Sequence, residues 1–580
     1  MARIGLNLVL AVLVVFAAAG DGFAQSREDA RDRRDRARAR LESLELFGKV
    51  YERLIRNYVD ELDPEELIET AIEAMLSDLD THSTLLTEQT YEDLVTSTQG
   101  EFGGLGIQIV VRDGYPTVVS PIDGTPAFRL GIRGGDQIVE IEGESTKGWK
   151  SSDAVKVLRG PKGSQVNIGI KRPGREKVMP FEITRDIIKI ESVPYAFMLD
   201  EESGVGYVRI SNFSRTTRDE LEDKMEELED LGMTSLIIDL RTNPGGLLQA
   251  AKDVSEMFLE KGDLIVYTKG RLAQQNMSYY STSNRGRVWK DQPLAVLVNG
   301  SSASASEILA GAIQDHDVGI VVGENTFGKG SVQTVFELSP TKALKLTTAK
   351  YYTPSGRSIH RDRNRDGSLI EEEGVDLTEE AGSADPEAEP EVFTTDMGRE
   401  VYGGGGIMPD IEIEPALLSD FEVALERDPT YFHFTNEWLV GREHTGPDSF
   451  EFTDAMFELF WDIAEGREDL PQYFEDMELE MSRELFEEHR DEIAVGVLRE
   501  MERRVGGNAA AYQVNIERDD QVWRVVDLLR ENPTREQLFE AGNFAFQCVE
   551  PGRTQGVGGI HAGEVAVCLD QLTLRAASVI

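Results

Sequence analysis

Basic charge, cysteine and histidine are all scarce in this 580-residue chain. Sixty lysines and arginines stand against 106 aspartates and glutamates, a net charge of −46. That argues against nucleic acid as a partner, because a phosphate backbone needs a basic surface. The two cysteines, Cys548 and Cys568, exclude a disulfide-dense scaffold and any four-cysteine zinc site. In an oxidising compartment they could form one bond, provided their Cα atoms approach. Seven histidines form no H-E-x-x-H, and G-x-S-x-G is missing too. Long apolar runs are also lacking beyond the first, residues 4–19, which follows Arg3 and precedes the small-x-small Gly22-Phe23-Ala24. This reads as a signal peptide over residues 1–24, cleaved before Gln25, with an uncleaved anchor as the alternative. Either way the chain is expected to be exported, to the periplasm or the cell envelope.

What is present is ample for folding: 40 % hydrophobic and 8 % aromatic residues over a length of several domains. Residues 26–40 alternate Arg with Asp and Ala, a solvated helix or linker. Over 41–94 the period is helical, with Asp63-Pro64 as cap and first turn and Leu67, Ile68, Ala71, Ile72 and Met75 on one face. Near Phe102 the period falls to two, and glycine-bounded strands continue to about Ile190. Buried-strand runs then alternate with helices: 236–240 before a helix over 247–259, and 294–298 before a helix around 308–313. Such alternation predicts α/β layers. Residues 362–391 hold twelve acids and two arginines, an acidic inserted loop. Past Leu418 the pattern is acidic amphipathic helix, whose apolar faces are a candidate oligomer interface.

The stretch Asn299-Gly300-Ser301-Ser302-Ala303-Ser304-Ala305-Ser306-Glu307 joins a buried strand to a helix. A serine there meets the positive end of the helix dipole, and nearby free amides can hold an oxyanion. Ser304-Ala305-Ser306-Glu307 is equally a capping box, so chemistry requires a base as well. Lys329, in Thr326-Phe327-Gly328-Lys329-Gly330-Ser331-Val332-Gln333, is the candidate. A lysine accepts a proton only when neutral, so burial must lower its pKa. Gln333, four positions on, shares a face with Lys329 in a strand and lies one turn away in a helix. A neutral amide there can orient the amine without re-protonating it. A lysine between glycines is otherwise an ordinary loop residue. The same stretch nearly matches the phosphate-binding G-x-x-x-x-G-K-[ST], but Gly330 replaces the magnesium-binding hydroxyl and no clear helix pattern follows. Nucleotide binding is therefore not expected.

Several segments in chain order resemble the carboxy-terminal processing peptidases, the tail-specific serine proteases of family S41. They are Leu76-Ser77-Asp78-Leu79-Asp80-Thr81-His82-Ser83, Gly100-Glu101-Phe102-Gly103-Gly104-Leu105-Gly106-Ile107, Ser120-Pro121-Ile122-Asp123-Gly124-Thr125-Pro126-Ala127 and Gly206-Tyr207-Val208-Arg209-Ile210. Asp239-Leu240-Arg241-Thr242-Asn243-Pro244-Gly245-Gly246, the Ser304 and Lys329 segments, Tyr351-Tyr352-Thr353-Pro354-Ser355-Gly356-Arg357-Ser358-Ile359 and residues 403–410 complete the set. The resemblance covers about 41–415. It implies a multidomain α/β chain, with a PDZ domain set into an S41-type (crotonase-like) peptidase domain; the residue pattern adds N-terminal helices and a mostly α-helical C-terminal extension. The implied boundaries are 25–97 for the N-terminal helical region, 98–188 for the PDZ domain, 189–418 for the peptidase core with its insertion at about 361–397, and 419–580 for the acidic helical extension.

The resemblance also implies the roles. Ser304 is the nucleophile, Lys329 the general base and Gln333 its orienting residue. The oxyanion hole uses the N–H of Ala305 and that of Gly245 or Gly246, since Pro244 has none. Catalysis then requires neither metal nor nucleotide. Gly104, Leu105, Gly106 and Ile107 form the loop that binds a peptide C-terminus while the peptide adds to a strand edge, and Arg159 couples PDZ position to the protease site. Protein or peptide C-termini are the expected substrates, with an adaptor protein and self-association as further candidate partners. The alternative from another class is a PDZ scaffold that binds tails without cutting. Separately, Asp362, Asn364, Asp366 and Glu373 complete a calcium-loop spacing, a candidate structural site that follows a strand-like segment rather than a helix.

Overall fold

The computed structural model describes residues 34–122, 124–173, 175, 177–282, 292–361, 391–415, 418–440, 442, 446–447 and 450–547. The export segment, the calcium-type spacing Asp362, Asn364, Asp366 and Glu373, and both cysteines lie outside the described residues. Among those described, no helix is long and apolar enough to cross a membrane.

Contacts divide the chain into one unit up to Leu85 and another from Leu86 onward. In the first, residues 34–57 are helical, and a second helix, Pro64–Ser77, starts where Asp63 takes the N–H groups of Glu65 and Glu66 at 2.8 and 3.1 Å. The expected face is half-buried except at Met75, which is exposed; Leu76 is the buried residue instead.

In the second unit the PDZ domain is an antiparallel sheet ordered Ile107–Arg112, Tyr115–Pro121, Gln137–Ile141, Gln165–Lys171, Met179–Thr184, with Glu144–Ser145 paired beside it. Val118, Ile138, Val166, Ile170 and Ile183 fill its core. The domain is entered and left through a two-stranded ribbon in which Glu101–Gly104 pairs with Asp186–Lys189. The outermost pair of the ribbon is Glu101 with Lys189, beside the expected bounds of 98 and 188.

The peptidase core is a six-stranded sheet ordered Tyr195–Asp200, Val205–Arg209, Ser235–Asp239, Leu294–Val298, Ile320–Gly323, Ile411–Glu412. The first pair is antiparallel and all the others are parallel. Every residue of Leu294–Val298 is buried, as a central parallel strand covered on both faces requires. Helices Thr217–Asp230, Leu248–Ser255 and Ala305–Asp315 pack on one face. On the other, Tyr207, Ile237, Leu297 and Val322 meet Val522, Val525, Val526 and Leu529 of helix Asp520–Glu531, with Leu538 and Phe539 from helix Arg535–Gln547. The C-terminal extension therefore supplies the third layer of the peptidase sandwich. These apolar faces, candidates for an oligomer interface in the sequence, are covered within the chain itself. The residues between form a separate phenylalanine-rich core around Phe421, Phe434, Phe460, Phe474 and Phe486. A second antiparallel sheet carries the hairpin Ser331–Ser339 and Lys342–Tyr352. Toward the end of the inserted segment Val392–Thr394 pairs with Glu400–Tyr402.

Helix Ala305–Asp315 is anchored at its far end. Asp315 takes the fully buried Arg357 guanidinium at 2.7 Å, and Asp317 takes Arg399 at 2.6 Å. His316, the cap of that end, bonds Asp396 through Nδ1 and the Leu264 carbonyl through Nε2, both at 2.7 Å. Burial alone would lower the imidazolium pKa, but the Leu264 carbonyl and the Asp396 carboxylate outweigh it and hold it above its ordinary value. A pKa raised in the folded state gives stability that is fully present below the unfolded value, about 6.5, and is lost as pH rises through the folded one. His316→Gln should therefore lower the unfolding temperature more at pH 6 than at pH 9. An equal loss at both would show that the imidazolium is not the stabilising species.

Candidate active site

The parallel strands Ser235–Asp239, Leu294–Val298 and Ile320–Gly323 all end at one edge of the sheet, and the loops that leave them converge there, as in open α/β sheets generally. This brings residues 240–247, 299–304 and 324–330 together. Ser304 has φ +56° and ψ −109°, outside the favoured regions for a side chain with a Cβ, at the sharp turn from strand into helix Ala305–Asp315. Three serines alternate in this turn. The fully buried Ser302 donates to the Leu240 carbonyl at 2.8 Å and the fully buried Ser306 to the Asn243 carbonyl at 3.0 Å. Ser304 alone of the three keeps its hydroxyl off the backbone, and no cap hydrogen bond reaches it.

The capping-box half that does form belongs to Glu307, and it extends past the helix. This fully buried carboxylate accepts the Ser304 N–H at 2.7 Å and the Lys329 N–H at 2.9 Å through Oε2. Through Oε1 it accepts the Thr326 hydroxyl and the Gly328 N–H, both at 2.7 Å. One side chain thus ties the serine turn to the lysine loop. Burial pushes its pKa up, only partly offset by those donors. Tyr351 also holds the lysine loop. Its phenol donates to the Lys329 carbonyl, and burial keeps its pKa well above the ordinary value, so it stays neutral.

Burial also lowers the Lys329 pKa. Lys345 adds to this, and Glu307 opposes it without reversing it. That is the condition a lysine base must meet. Among the described contacts Lys329 Nζ shares no direct hydrogen bond with Ser304 Oγ or with Gln333, whose Nε2 donates to Ser331 at 2.9 Å and Thr347 at 3.4 Å. The register shift in the hairpin between Val332 and Gln333 comes from an extra residue, Thr348, on the opposite strand, since Val332 faces Ala349 and Gln333 faces Thr347.

On the opposite lip, Gly245 approaches the serine so closely that a Cβ would sit 2.8 Å from both the Ala305 nitrogen and the Ser304 Cβ, and its φ is +97°. Only glycine fits. Its N–H is taken by Asn243 Oδ1 at 2.9 Å, however. Among the described residues the N–H groups of Gly246 and Ala305 carry no hydrogen bond, so of the two expected glycines Gly246 is the one with a donor to offer. Asp239, at the root of this loop, is fully buried and bonded by Tyr207, Arg209 and Arg241.

In the PDZ domain, Gly104-Leu105-Gly106-Ile107 leads into Ile107–Arg112, the edge of its sheet, whose outer backbone row is open to an added strand. Gly106 has φ +76°, and a Cβ there would lie 2.2 Å from that of Thr125. Among the described residues the Leu105 and Gly106 N–H groups are unbonded. Arg159 pairs with Asp93 at 3.1 Å and lies 4.7 Å over the Phe102 ring, at the PDZ entry ribbon rather than at Ser304 or Lys329. Glu307 and Tyr351 were not assigned roles from sequence. Glu307 was visible only as a cap and Tyr351 only within a matched motif.

A mostly parallel α/β sheet with a strained serine at a strand-to-helix turn, joined to a PDZ domain, is the arrangement of a PDZ-containing peptidase. Residues 204–366 match the pattern of Peptidase family S41 and residues 103–182 that of the PDZ domain. A "Carboxy-terminal-processing protease" of Bartonella bacilliformis is 43 % identical over 320 residues, 54 % of this chain and 72 % of that protein. A "Carboxyl-terminal-processing protease" of Synechocystis sp. is 39 % identical over 322 residues, 54 % of this chain and 74 % of that one. The solved "photosystem II D1 C-terminal processing protease" is 31 % identical, with a TM-score of 0.30 over 54 % of this chain and 89 % of its own. The chain belongs to peptidase family S41, among the carboxy-terminal-processing proteases.

Proposed function

We propose that this protein is an exported serine endopeptidase that captures proteins by their C-termini and cuts them with a Ser304/Lys329 dyad. The observation that carries the reading is the Glu307 carboxylate, which holds the serine turn and the lysine loop on its two oxygens while burial lowers the Lys329 pKa. Neutral Lys329 Nζ takes the Ser304 proton as Oγ attacks the peptide carbonyl. The oxyanion forms against the Ala305 and Gly246 N–H groups. Nζ then returns the proton to the departing amine, and water repeats the sequence on the acyl-enzyme. The missing Nζ–Oγ and Lys329–Gln333 bonds fit a resting site, since catalytic hydrogen bonds commonly tighten only with substrate present. The reaction as written uses no metal or nucleotide. An adaptor or a second copy would act by delivering substrate. The Leu105 and Gly106 N–H groups suit a tail carboxylate, and the peptide would pair with the edge Ile107–Arg112.

The test is a partly unfolded protein with an apolar tail, offered with a free or an amidated C-terminus, and fragments read by mass spectrometry. Wild type should cut the free-tailed form at least about tenfold faster, and Ser304→Ala should cut neither. Binding without cutting by wild type would favour the scaffold alternative. Cutting by Ser304→Ala would remove the assigned nucleophile.

A further inference from the structure

One helix of the C-terminal extension touches both the peptidase sheet and the PDZ domain. In helix Gly507–Ile516, Asn508 donates its side-chain amide to Gln108 Oε1 at 2.6 Å, on the strand edge that a tail would join. One turn on, on the same face, Tyr512 lies 2.8 Å, oxygen to oxygen, from Tyr207. The Tyr207 proton goes to Asp239 at 2.7 Å, so Tyr512 is the donor between the two phenols. Its ring also stacks on Tyr195, centroids 3.9 Å apart, in the first strand after the PDZ exit.

The buried network that Tyr512 enters is unbalanced without the extension. Asp239 alone faces two guanidinium groups, Arg209 and Arg241. The second carboxylate is Asp519, 2.8 Å from Arg241, and the buried Gln521 accepts from the same Nη1 at 2.9 Å. An unpaired buried cation is costly, so these groups hold Arg241 in place. Arg241 and Asp239 in turn set the root of the loop that carries Gly246.

We propose that helix Gly507–Ile516 couples the PDZ groove to catalysis: a tail added to Ile107–Arg112 shifts Gln108, and Asn508 and Tyr512 pass the shift to Tyr207, Asp239 and the oxyanion loop. Tyr512, Asp519 and Gln521 are positioning residues, because they act through Arg241 and Tyr207 and touch no substrate. The proposal rests on the reading of the groove as a tail site and of Ser304 as nucleophile. It gives the extension a part in regulation, since ligand at one site can alter another only through an element that both bias.

The experiment follows cleavage of an internal peptide with an amidated C-terminus while a free-tailed apolar tetrapeptide, too short to be cut, is titrated in. Saturating tetrapeptide should change wild-type kcat by about fivefold or more. Asn508→Ala and Tyr512→Phe should each bind the tetrapeptide and unfold within a few degrees of wild type, yet respond less than about twofold, and the double variant no less than either single one. A wild type that binds the tetrapeptide but keeps its rate overturns the coupling, and so do single variants that respond as wild type does. A tetrapeptide that does not bind removes the groove reading and the coupling with it. Cleavage by Ser304→Ala would strike the dyad, whereas an unaltered response in the two variants beside an inert Ser304→Ala strikes the coupling alone.

Discussion

Replacing Lys329 by methionine should abolish proteolysis and leave the folded chain more stable. The activity loss is expected to reach about a thousandfold or more, the scale of a general base that also serves as acid. Lys329→Arg should be as inert, because a guanidinium keeps charge and length but does not deprotonate. The gain in stability follows from the lowered pKa, caused first by burial and then by Lys345. In the unfolded chain the amine is charged below about 10.4; the fold resists that charge. The cost is absent above the unfolded pKa, grows as pH falls and levels off below the folded pKa. Methionine removes it, so the rise in unfolding temperature should be larger at pH 7 than at pH 10. In wild type, kcat/KM should rise with pH along a limb lying below the ordinary lysine range. A Lys329→Met chain that loses stability at pH 7, or an activity limb at the ordinary lysine pKa, would show that Lys329 is not held as a neutral base.

Ser304 and Lys329 were legible in the sequence because each sits beside a strand whose burial pattern shows where it ends. The runs 294–298 and 320–323 are apolar throughout, and the loops that leave them must lie at the carboxyl edge of the sheet. Gln333 came from its place in the Lys329 motif, and its Nε2 bonds to Ser331 and Thr347 depend on a side-chain rotamer that no spacing encodes. Gly245 and Gly246 could not be separated, since the Asn243 side chain that takes the Gly245 N–H is a local turn bond with no sequence signature of its own. The C-terminal extension shows the limit most plainly. Its apolar stripes were evident, but the partner face was not: Tyr512 meets a tyrosine 305 positions away, a register only the folded chain supplies. A negative net charge likewise gave no hint that Asp519 balances a buried arginine.

Glu307→Gln should be nearly inert while unfolding close to the wild-type temperature, and the contrast follows from the four donors that surround the carboxylate. Two approach each oxygen; three are N–H groups that cannot accept, and the fourth, the Thr326 hydroxyl, already accepts the Ile407 N–H. An amide can satisfy one pair through its carbonyl oxygen, but it turns its own N–H groups on the other. In the orientation that keeps Thr326 and Gly328, the Ser304 and Lys329 amides lose their acceptor; in the opposite one the lysine loop loses Thr326 and Gly328. The first orientation unties the serine turn from the lysine loop and the second releases Thr326 and Gly328, which place that loop, so kcat should fall about a hundredfold with KM little changed. Stability behaves differently because burial has already pushed the Glu307 pKa up, so the ionised carboxylate is itself disfavoured there and its removal offsets the lost bonds. Glu307→Ala has no such offset. It leaves four buried donors without an acceptor, a loss on the order of 4 kcal/mol or more, and should lower both the unfolding temperature and kcat. Thr326→Val, which removes one donor and leaves the carboxylate, should cost little activity. Wild-type kcat in Glu307→Gln would mean that the two loops hold their geometry without the carboxylate, and that the alignment of Ser304 with Lys329 has another source.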